Sequence, residues 1–303
     1  MSLPSLALLG ATGLPVVVCA RPWARDLLEG VVKHDFIPMR GHLREDRRAV
    51  REHRRAWAGG ARRVRGLTLP DSLSSAAVFR LAGIPSAGYR DDGRSLLLRW
   101  PIAKPDAGLH AVQSWYHLTR SALQRWGLPA GAEQPGPTLD LPITQHQQET
   151  ADALLRDAQL RPQGFVLIAP TATGLHKGKI KVWPHFDTLT RALQAHGHHV
   201  VMCPPPAEVE EARRNAPTAR LLPAAPLGAF AALTKQASLV ICNDSGVSHV
   251  AAAADAAQLT LFGVTSPGRT GPWSPRAICL GSNGNWPAAD EVEQAVNNLL
   301  HSA

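Results

Sequence analysis

Apolar and polar residues follow one another in the second half of the chain in blocks that indicate alternating strands and helices. Five short apolar runs predict buried strands, at residues 165–169, 199–203, 239–242, 259–262 and 277–280. Segments with helical periodicity fill the intervals, at about 185–196, 207–214, 227–236, 246–256 and 289–302. Continuous apolar strands separated by helices are typical of a parallel sheet covered by helices on both faces. We therefore expect a doubly wound α/β domain here.

The first half of the chain carries a weaker form of the same pattern. Strands are predicted at 15–20 and 64–69, and helices at 2–9, 23–30, 72–83 and 111–126. A segment rich in proline and glycine, residues 127–137, then indicates a linker. We therefore predict two domains, residues 1–140 and residues 141–303.

The length and composition agree with two domains, and the chain carries a strong positive charge. The chain has 303 residues, a formal net charge of +8 and a pI near 9.8. Such a charge favours a polyanionic partner, which can be nucleic acid, an acidic lipid surface or an acidic substrate. The sequence holds no recognisable nucleic-acid-binding motif, so we expect no nucleic acid. The four cysteines are far apart and have no zinc-ligand spacing with histidine, so we expect free thiols and no metal.

The N-terminus imitates a secretory signal without having its features. Residues 6–20 are mostly apolar, but no Lys or Arg precedes Arg21, and Gly13 and Pro15 interrupt the run. No apolar run approaches the roughly 20 residues that span a bilayer. We expect a cytoplasmic protein, with peripheral attraction to the inner membrane face through its charge.

The segment Asn243 to Ala254 is the most informative motif. An apolar strand runs into it, a helix of small residues runs out of it, and the turn between them contains Asp, Ser, Gly and His. A turn from strand to helix directs backbone N–H groups at one point, and the helix dipole favours an anion there. Gly246 allows a ligand to approach the backbone closely. The pattern predicts a phosphate or diphosphate site at the carboxyl edge of a parallel sheet.

This segment resembles the donor-binding signature of the bacterial ADP-heptose:lipopolysaccharide heptosyltransferases, glycosyltransferase family 9. The family pattern is Asp-(Ser/Thr)-Gly-x-x-His-x-x-Ala-Ala, an apolar strand, then Gly-x-(Thr/Ser)-x-Pro. Here it is matched by residues 244–253, 259–262 and 263–267. The resemblance implies two Rossmann-like domains of the GT-B type facing across a cleft, with the N-terminal domain lacking its first strand. It also implies inverting transfer of heptose from ADP-heptose to the inner core of lipopolysaccharide, with no cofactor.

The resemblance assigns several residues to the donor. Lys181, in Lys-Val-Trp-Pro, corresponds to a lysine that neutralises the diphosphate, although a solvated surface lysine is the simpler alternative. Thr171 and Thr173 stand where the family has hydroxyl contacts. Glu208 aligns with a glutamate that contacts the nucleoside, and it would equally suit the acidic first turn of a helix.

The signature segment supplies the remaining donor residues. Asp244 can be a catalytic base, a ribose partner or a structural cap, and the resemblance assigns it to the donor. Ser245, Gly246 and Val247 would offer backbone and hydroxyl contacts. His249 would meet the diphosphate or the sugar, unless it is an ordinary core histidine.

Acceptor residues are predicted in the first domain. Ten arginines and three acids lie between residues 40 and 65. A solvated helix at residues 44–57 would explain some of this excess, and an acceptor with Kdo carboxylates and lipid A phosphates would explain it better. Leu-Pro-Asp-Ser at 69–72 and Ala-Gly-Ile-Pro at 82–85 resemble segments of the second heptosyltransferase of the pathway. We expect Asp71, Ser72, Arg62 and Arg63 to line the acceptor site, with helix capping as the alternative for Asp71 and Ser72.

Two family features are absent from the sequence. No Asp-x-Asp occurs, so the metal-bridging motif of many nucleotide-sugar transferases is missing. The family begins with a strand and a Gly-Asp loop whose aspartate is the general base, whereas residues 1–9 resemble the helix after that loop. A misassigned start, a truncation or a binding-only relative would each explain this, and we expect the strand and Gly-Asp upstream of Met1. The rival functions are a related transferase with another sugar donor or a protein acceptor, and a non-catalytic nucleotide-sugar-binding protein.

Overall fold

The computed structural model describes residues 1–57, 64–105, 108–172, 175–176, 178–282 and 284–301. The chain divides into two compact units, Met1–Gly136 and Pro137–Ala303. Both are α/β units built on parallel strands, as the sequence predicts. Within the described ranges, no helix has the length and apolarity needed to cross a bilayer.

The first unit has two small parallel sheets, β1-β2 and β3-β4-β5. The predicted strands at 15–20 and 64–69 are shorter than expected, and three more strands are present. In chain order the elements are α1 Leu3–Gly10, β1 Val17–Ala20, α2 Ala24–Leu27, β2 Asp35–Pro38, α3 Leu43–Trp57, β3 Gly66–Leu67, α4 Leu73–Leu81, β4 Ser86–Tyr89, β5 Trp100–Ile102 and α5 Ala111–Arg125. A short 3-10 helix, Arg94–Leu96, precedes β5.

Two of the apolar clusters in this unit join its strands to its helices. One joins β2, α3 and α4 through Ile37, Val50 and Val78. The other joins β4 and β5 to α5, with Ala87, Ile102 and Leu118 at its centre. Helices therefore cover the strands from more than one side, and the carboxyl ends of β3, β4 and β5 share one edge because the three strands are parallel.

The second unit contains a six-stranded parallel sheet of order β10-β9-β6-β11-β12-β13. Its elements are α6 Gln145–Asp157, β6 Phe165–Ala169, β7 Leu175–His176, β8 Lys179–Ile180, α7 Phe186–Ala195, β9 His199–Met202, α8 Val209–Asn215, β10 Arg220–Leu221, α9 Leu227–Gln236, β11 Leu239–Asn243, α10 Gly246–Ala253, β12 Gln258–Leu261, α11 Pro267–Thr270, β13 Ala277–Leu280 and α12 Ala289–His301. A 3-10 turn, Pro206–Glu208, leads into α8.

The central strands of this sheet are buried on both faces. Every residue of β6 and β11 is buried, which explains why their sequences are continuously apolar rather than alternating. One face packs against α7, α8 and α12 in a core that includes Phe186 and Val292. On the other face α9 packs against α6 and α10.

Candidate functional site

The carboxyl ends of β6 and β11 lie side by side where the order of the strands reverses. From β6 the chain continues to β9 and β10 on one side, and it returns through α9 to β11, β12 and β13 on the other. Cys242 pairs with Ala169 at this point, so the loops that follow both strands leave the sheet together. Open parallel sheets bind ligands in the crevice outside the strands at such a switch point. Thr171 and Asp244 follow these two strands.

Asp244 is the centre of a cluster of polar residues at this edge of the sheet. It is 8% exposed, and its Oδ2 accepts a hydrogen bond from Thr265 Oγ1 at 2.6 Å. Its backbone carbonyl accepts a hydrogen bond from Lys181 Nζ at 3.0 Å. The structure therefore brings Lys181 next to the signature segment, 63 residues away in the chain. Because an ammonium group has three donors, this contact leaves capacity for a phosphate.

Glu208 and Thr171 form a second pair at the same edge. Thr171 Oγ1 donates to Glu208 Oε2, so the glutamate lies beyond the end of β9 within reach of the loop after β6. Thr171 is buried, and Glu208 is half-buried. An oriented carboxylate beyond a strand end is the arrangement that dinucleotide folds use to accept ribose hydroxyls. Thr173 lies outside the described residues.

The start of α10 presents an open backbone. Ser245 caps the helix, its hydroxyl accepting a hydrogen bond from the Val247 N–H at 3.3 Å. Gly246 is exposed, and a Cβ built on it would meet no protein atom within 4 Å. His249, one turn further on, is half-buried. An anion could therefore approach this helix end closely, as the sequence predicts for Gly246.

Asn243 is an organising residue to which the sequence analysis gave no role. The residue is fully buried, and its side-chain amide donates to the carbonyls of Ala169 and Thr171, both at 3.3 Å. Its Oδ1 accepts a hydrogen bond from the Trp183 N–H at 2.8 Å. One side chain therefore joins the loop after β6, the loop that carries Lys181 and the end of β11. A buried Asn that ends an apolar strand is the signal that could have revealed it.

Two further motif residues have roles in packing. Trp183 is fully buried, and its indole N–H donates to the Pro287 carbonyl at 2.9 Å. Gly263 lies against the ring of Trp286, where a Cβ would be 2.0 Å from a ring carbon. The glycine at this place in the second part of the signature is therefore required by packing. Thr265, two residues later, is the member that contacts Asp244.

The acceptor residues predicted in the first unit have structural partners. Asp71 Oδ2 lies 2.6 Å from Lys104 Nζ. Its Oδ1 lies 3.4 Å from Nη1 of Arg94, whose side chain is 1% exposed. Ser72 is the N-cap of α4, with its Oγ accepting from the Ser75 N–H at 3.3 Å. Ser72 therefore caps the helix, as the alternative states, and its contact with an acceptor stays a prediction. Arg62 and Arg63 lie outside the described residues.

Tyr89 and His117 lie next to the polar cluster of Asp71, Lys104 and Arg94, on the side of α5. The Tyr89 hydroxyl lies 3.3 Å from His117 Nδ1, and Lys104 Nζ lies 5.4 Å from the centre of the Tyr89 ring. Burial raises the pKa of Tyr89, while burial and the nearby Arg120 lower the pKa of His117. Tyr89 is therefore a neutral hydrogen-bonding group at neutral pH. His117 also lines a shallow cavity of about 480 Å³ at the end of β5.

The described part of the chain has neither a metal-binding cluster nor a disulfide at this site. Within the described residues, no group of three or more His, Cys, Asp or Glu side chains could hold a metal ion. All four cysteines are free thiols. Burial raises the pKa of Cys242, in β11 beneath the site, to about 12. This thiol is therefore protonated and unreactive at neutral pH.

Comparisons with known proteins agree with this geometry. The family model described as glycosyltransferase family 9 (heptosyltransferase) matches residues 61–301. Lipopolysaccharide heptosyltransferase 2 of Salmonella typhimurium is 28% identical over 288 residues, which cover 86% of this chain and 77% of that protein.

Solved structures show the same fold. The ADP-heptose lps heptosyltransferase II of E. coli superposes with a TM-score of 0.74 at 23% identity, covering 99% of this chain and 95% of that one. A glycosyl transferase family 9 protein of Veillonella parvula gives 0.82 at 14% identity, covering 100% and 93%. The predicted GT-B fold class is therefore confirmed. Because the family model spans most of the sequence and includes the signature segment, the chain is a glycosyltransferase that belongs to glycosyltransferase family 9, the heptosyltransferases.

Proposed function

We propose that this enzyme transfers heptose from ADP-heptose to the inner core of lipopolysaccharide, with inversion at the anomeric carbon. The contact between Lys181 Nζ and the Asp244 carbonyl carries the proposal, because it holds a cation beside the open N-terminus of α10. A diphosphate bound there would meet a positive charge, backbone N–H groups and the positive end of a helix dipole. The Salmonella relative is named for lipopolysaccharide, and the E. coli structure for ADP-heptose.

The nucleoside would lie towards β9. Glu208, oriented by Thr171, would accept hydrogen bonds from the ribose hydroxyls. Asp244, held by Thr265, would face the diphosphate or the first sugar. His249 would donate to the same groups from one turn inside α10.

The proposed reaction is a single displacement. The acceptor hydroxyl oxygen bonds to the anomeric carbon as the bond from that carbon to the diphosphate oxygen breaks, and ADP departs with the electron pair. Lys181 and the amides at the start of α10 would stabilise the charge that develops on the departing oxygen. The hydroxyl proton goes to a general base, for which the family resemblance implies an aspartate.

ADP release from ADP-heptose tests the proposal, with heptosylated Kdo-lipid A as acceptor. ADP-glucose and UDP-glucose serve as alternative donors, and a reaction without acceptor corrects for hydrolysis. We expect release only when ADP-heptose and acceptor are present together. Faster turnover of another donor would overturn the proposed donor, and bound ADP-heptose with no release would indicate a binding-only protein.

A further inference from the structure

Five arginines form one exposed stripe along α3. They occur with the spacing i, i+3, i+4, i+7 and i+11, and all five are exposed: Arg44, Arg47, Arg48, Arg51 and Arg55. Because an α-helix turns about 100° per residue, these positions lie within an arc of about 100°. With a rise of 1.5 Å per residue, the stripe is about 16 Å long. We call these five residues the arginine stripe.

The opposite face of α3 is anchored in the first unit. Val50 is buried in the cluster shared with β2 and α4. The buried Asp46 carboxylate accepts hydrogen bonds from the backbone N–H groups of Arg40 at 2.7 Å and Gly41 at 2.9 Å. Arg54, which lies outside the stripe, donates to the Ala82 carbonyl at 3.1 Å. The helix is therefore fixed, and the stripe points away from the body of the unit.

Charge within the stripe is largely uncompensated. Among the described residues the stripe has one ion pair, between Arg48 and Glu52 at 2.8 Å, and both of these side chains are exposed. Exposed pairs of this kind contribute little. Like charges at a spacing of i, i+4 destabilise a helix, and the stripe contains three such pairs. The arrangement therefore disfavours the isolated helix, and an anionic partner would offset that cost.

We propose that the arginine stripe docks the protein on an anionic bilayer, with the guanidinium groups against lipid phosphates. The proposal rests on the proposed function, since a lipid-linked acceptor lies in such a surface. A convex row of cations cannot enclose a small anion, but all five arginines can contact a flat array of phosphates at once. Guanidinium groups pair with phosphate oxygens through two hydrogen bonds each.

Vesicle binding tests the proposal without requiring catalysis. The full chain is mixed with vesicles of equimolar phosphatidylglycerol and phosphatidylcholine, or of phosphatidylcholine alone, and the bound fraction is measured by sedimentation. We expect binding to the anionic vesicles alone. Binding should weaken from about 0.1 M to about 1 M salt, because the Debye length falls from about 10 Å to about 3 Å.

A charge-matched pair of variants assigns the binding to the stripe. The test variant replaces the five stripe arginines with glutamine: R44Q, R47Q, R48Q, R51Q and R55Q. The control removes five exposed cations of the second unit, and it too includes one arginine paired with a glutamate on its own helix: R156Q, R161Q, R213Q, R214Q and K235Q. Each basic residue at an anionic surface contributes about fivefold to the partition coefficient, so the test variant should bind at least about 100-fold more weakly than the control.

Other outcomes would overturn the proposal. Equal losses in the two variants would mean that net charge, and not the stripe, drives binding. Binding of a duplex RNA that is tighter than vesicle binding and is lost in the test variant would assign the stripe to nucleic acid. ADP affinity, measured by calorimetry, checks that both variants are folded. If vesicles bind but ADP-heptose is not turned over, the docking stands and the proposed function fails, so the two failures are distinguishable.

Discussion

The side-chain carbonyl of Asn243 accepts a hydrogen bond from the backbone N–H of Trp183 at 2.8 Å, although the two residues are 60 positions apart. The amide group of the same asparagine donates to the carbonyls of Ala169 and Thr171. One buried side chain thus fixes the loop that carries Lys181 relative to the loop after β6. The proposed donor site depends on this connection, because its residues come from four separate loops.

Replacing Asn243 with alanine should destabilise the protein strongly. Asn243→Ala leaves the Trp183 N–H and two carbonyls without their side-chain partner, so we expect a loss of about 2–4 kcal/mol in the free energy of unfolding. Asn215→Ala is the comparison, since its amide makes one hydrogen bond, to the Pro170 carbonyl at 2.7 Å, and should cost about 1 kcal/mol. Urea denaturation measures both. Equal losses would refute the organising role of Asn243.

Lys181 should contribute to donor affinity through its charge. Lys181→Met keeps most of the apolar stem and removes the ammonium group, so ADP-heptose should bind about 10- to 100-fold more weakly, as for the loss of a charged hydrogen bond. Lys235→Met, at an exposed position on α9, should leave the affinity unchanged. Isothermal titration calorimetry measures the dissociation constants. An unaltered affinity in Lys181→Met would mean that Lys181 is a solvated surface lysine that does not bind the donor.

Gly246 should matter to the ligand and not to the fold. A Cβ at this position meets no protein atom within 4 Å, and alanine is favoured over glycine in a helix. Gly246→Ala should therefore keep or raise the melting temperature while weakening ADP-heptose binding by obstructing close approach. Gly10→Ala is the matched control, because Gly10 is helical and equally open. Unchanged affinity in Gly246→Ala would mean that the ligand does not approach this backbone.

Asp187 should make the stability of the second unit depend on pH. Desolvation would raise its pKa, but hydrogen bonds from Thr218 and Arg191 outweigh that effect and lower the pKa below the ordinary 3.8. A carboxyl group with a lowered folded-state pKa stabilises the protein above its unfolded pKa, and the stabilisation is lost as the pH falls through the folded value. Asp187→Asn should therefore cost about 1 kcal/mol near neutral pH, and less below pH 3.8. A difference that persists undiminished in acid would show that the carboxylate charge is not involved.

The sequence predicts the central strands of the second unit well because they are fully buried. The runs at 165–169 and 239–242 correspond to β6 and β11, since continuous apolar residues are what a covered parallel sheet requires. The missed strands of the first unit have compositions that favour turns. Strand β4 is Ser-Ala-Gly-Tyr and β5 is Trp-Pro-Ile, and tertiary packing overrides these local preferences.

Helix α6 was missed for a different reason. It is polar over much of its length, and its visible signal is a capping box between Thr144 and Gln147. At the site, the motif predicts that Asp244 and Ser245 follow a strand and begin a helix. The pairing of Asp244 with Thr265 and of Glu208 with Thr171 depends on which strands are neighbours, and periodicity along the chain does not contain that order.

Mass spectrometry of the acceptor tests the central claim most directly. Heptosylated Kdo-lipid A is incubated with ADP-heptose and the enzyme, and both products are quantified. The proposed function predicts that the acceptor gains the mass of one heptosyl residue for each ADP released. ADP release without any gain in acceptor mass, or bound donor with no reaction, would contradict it.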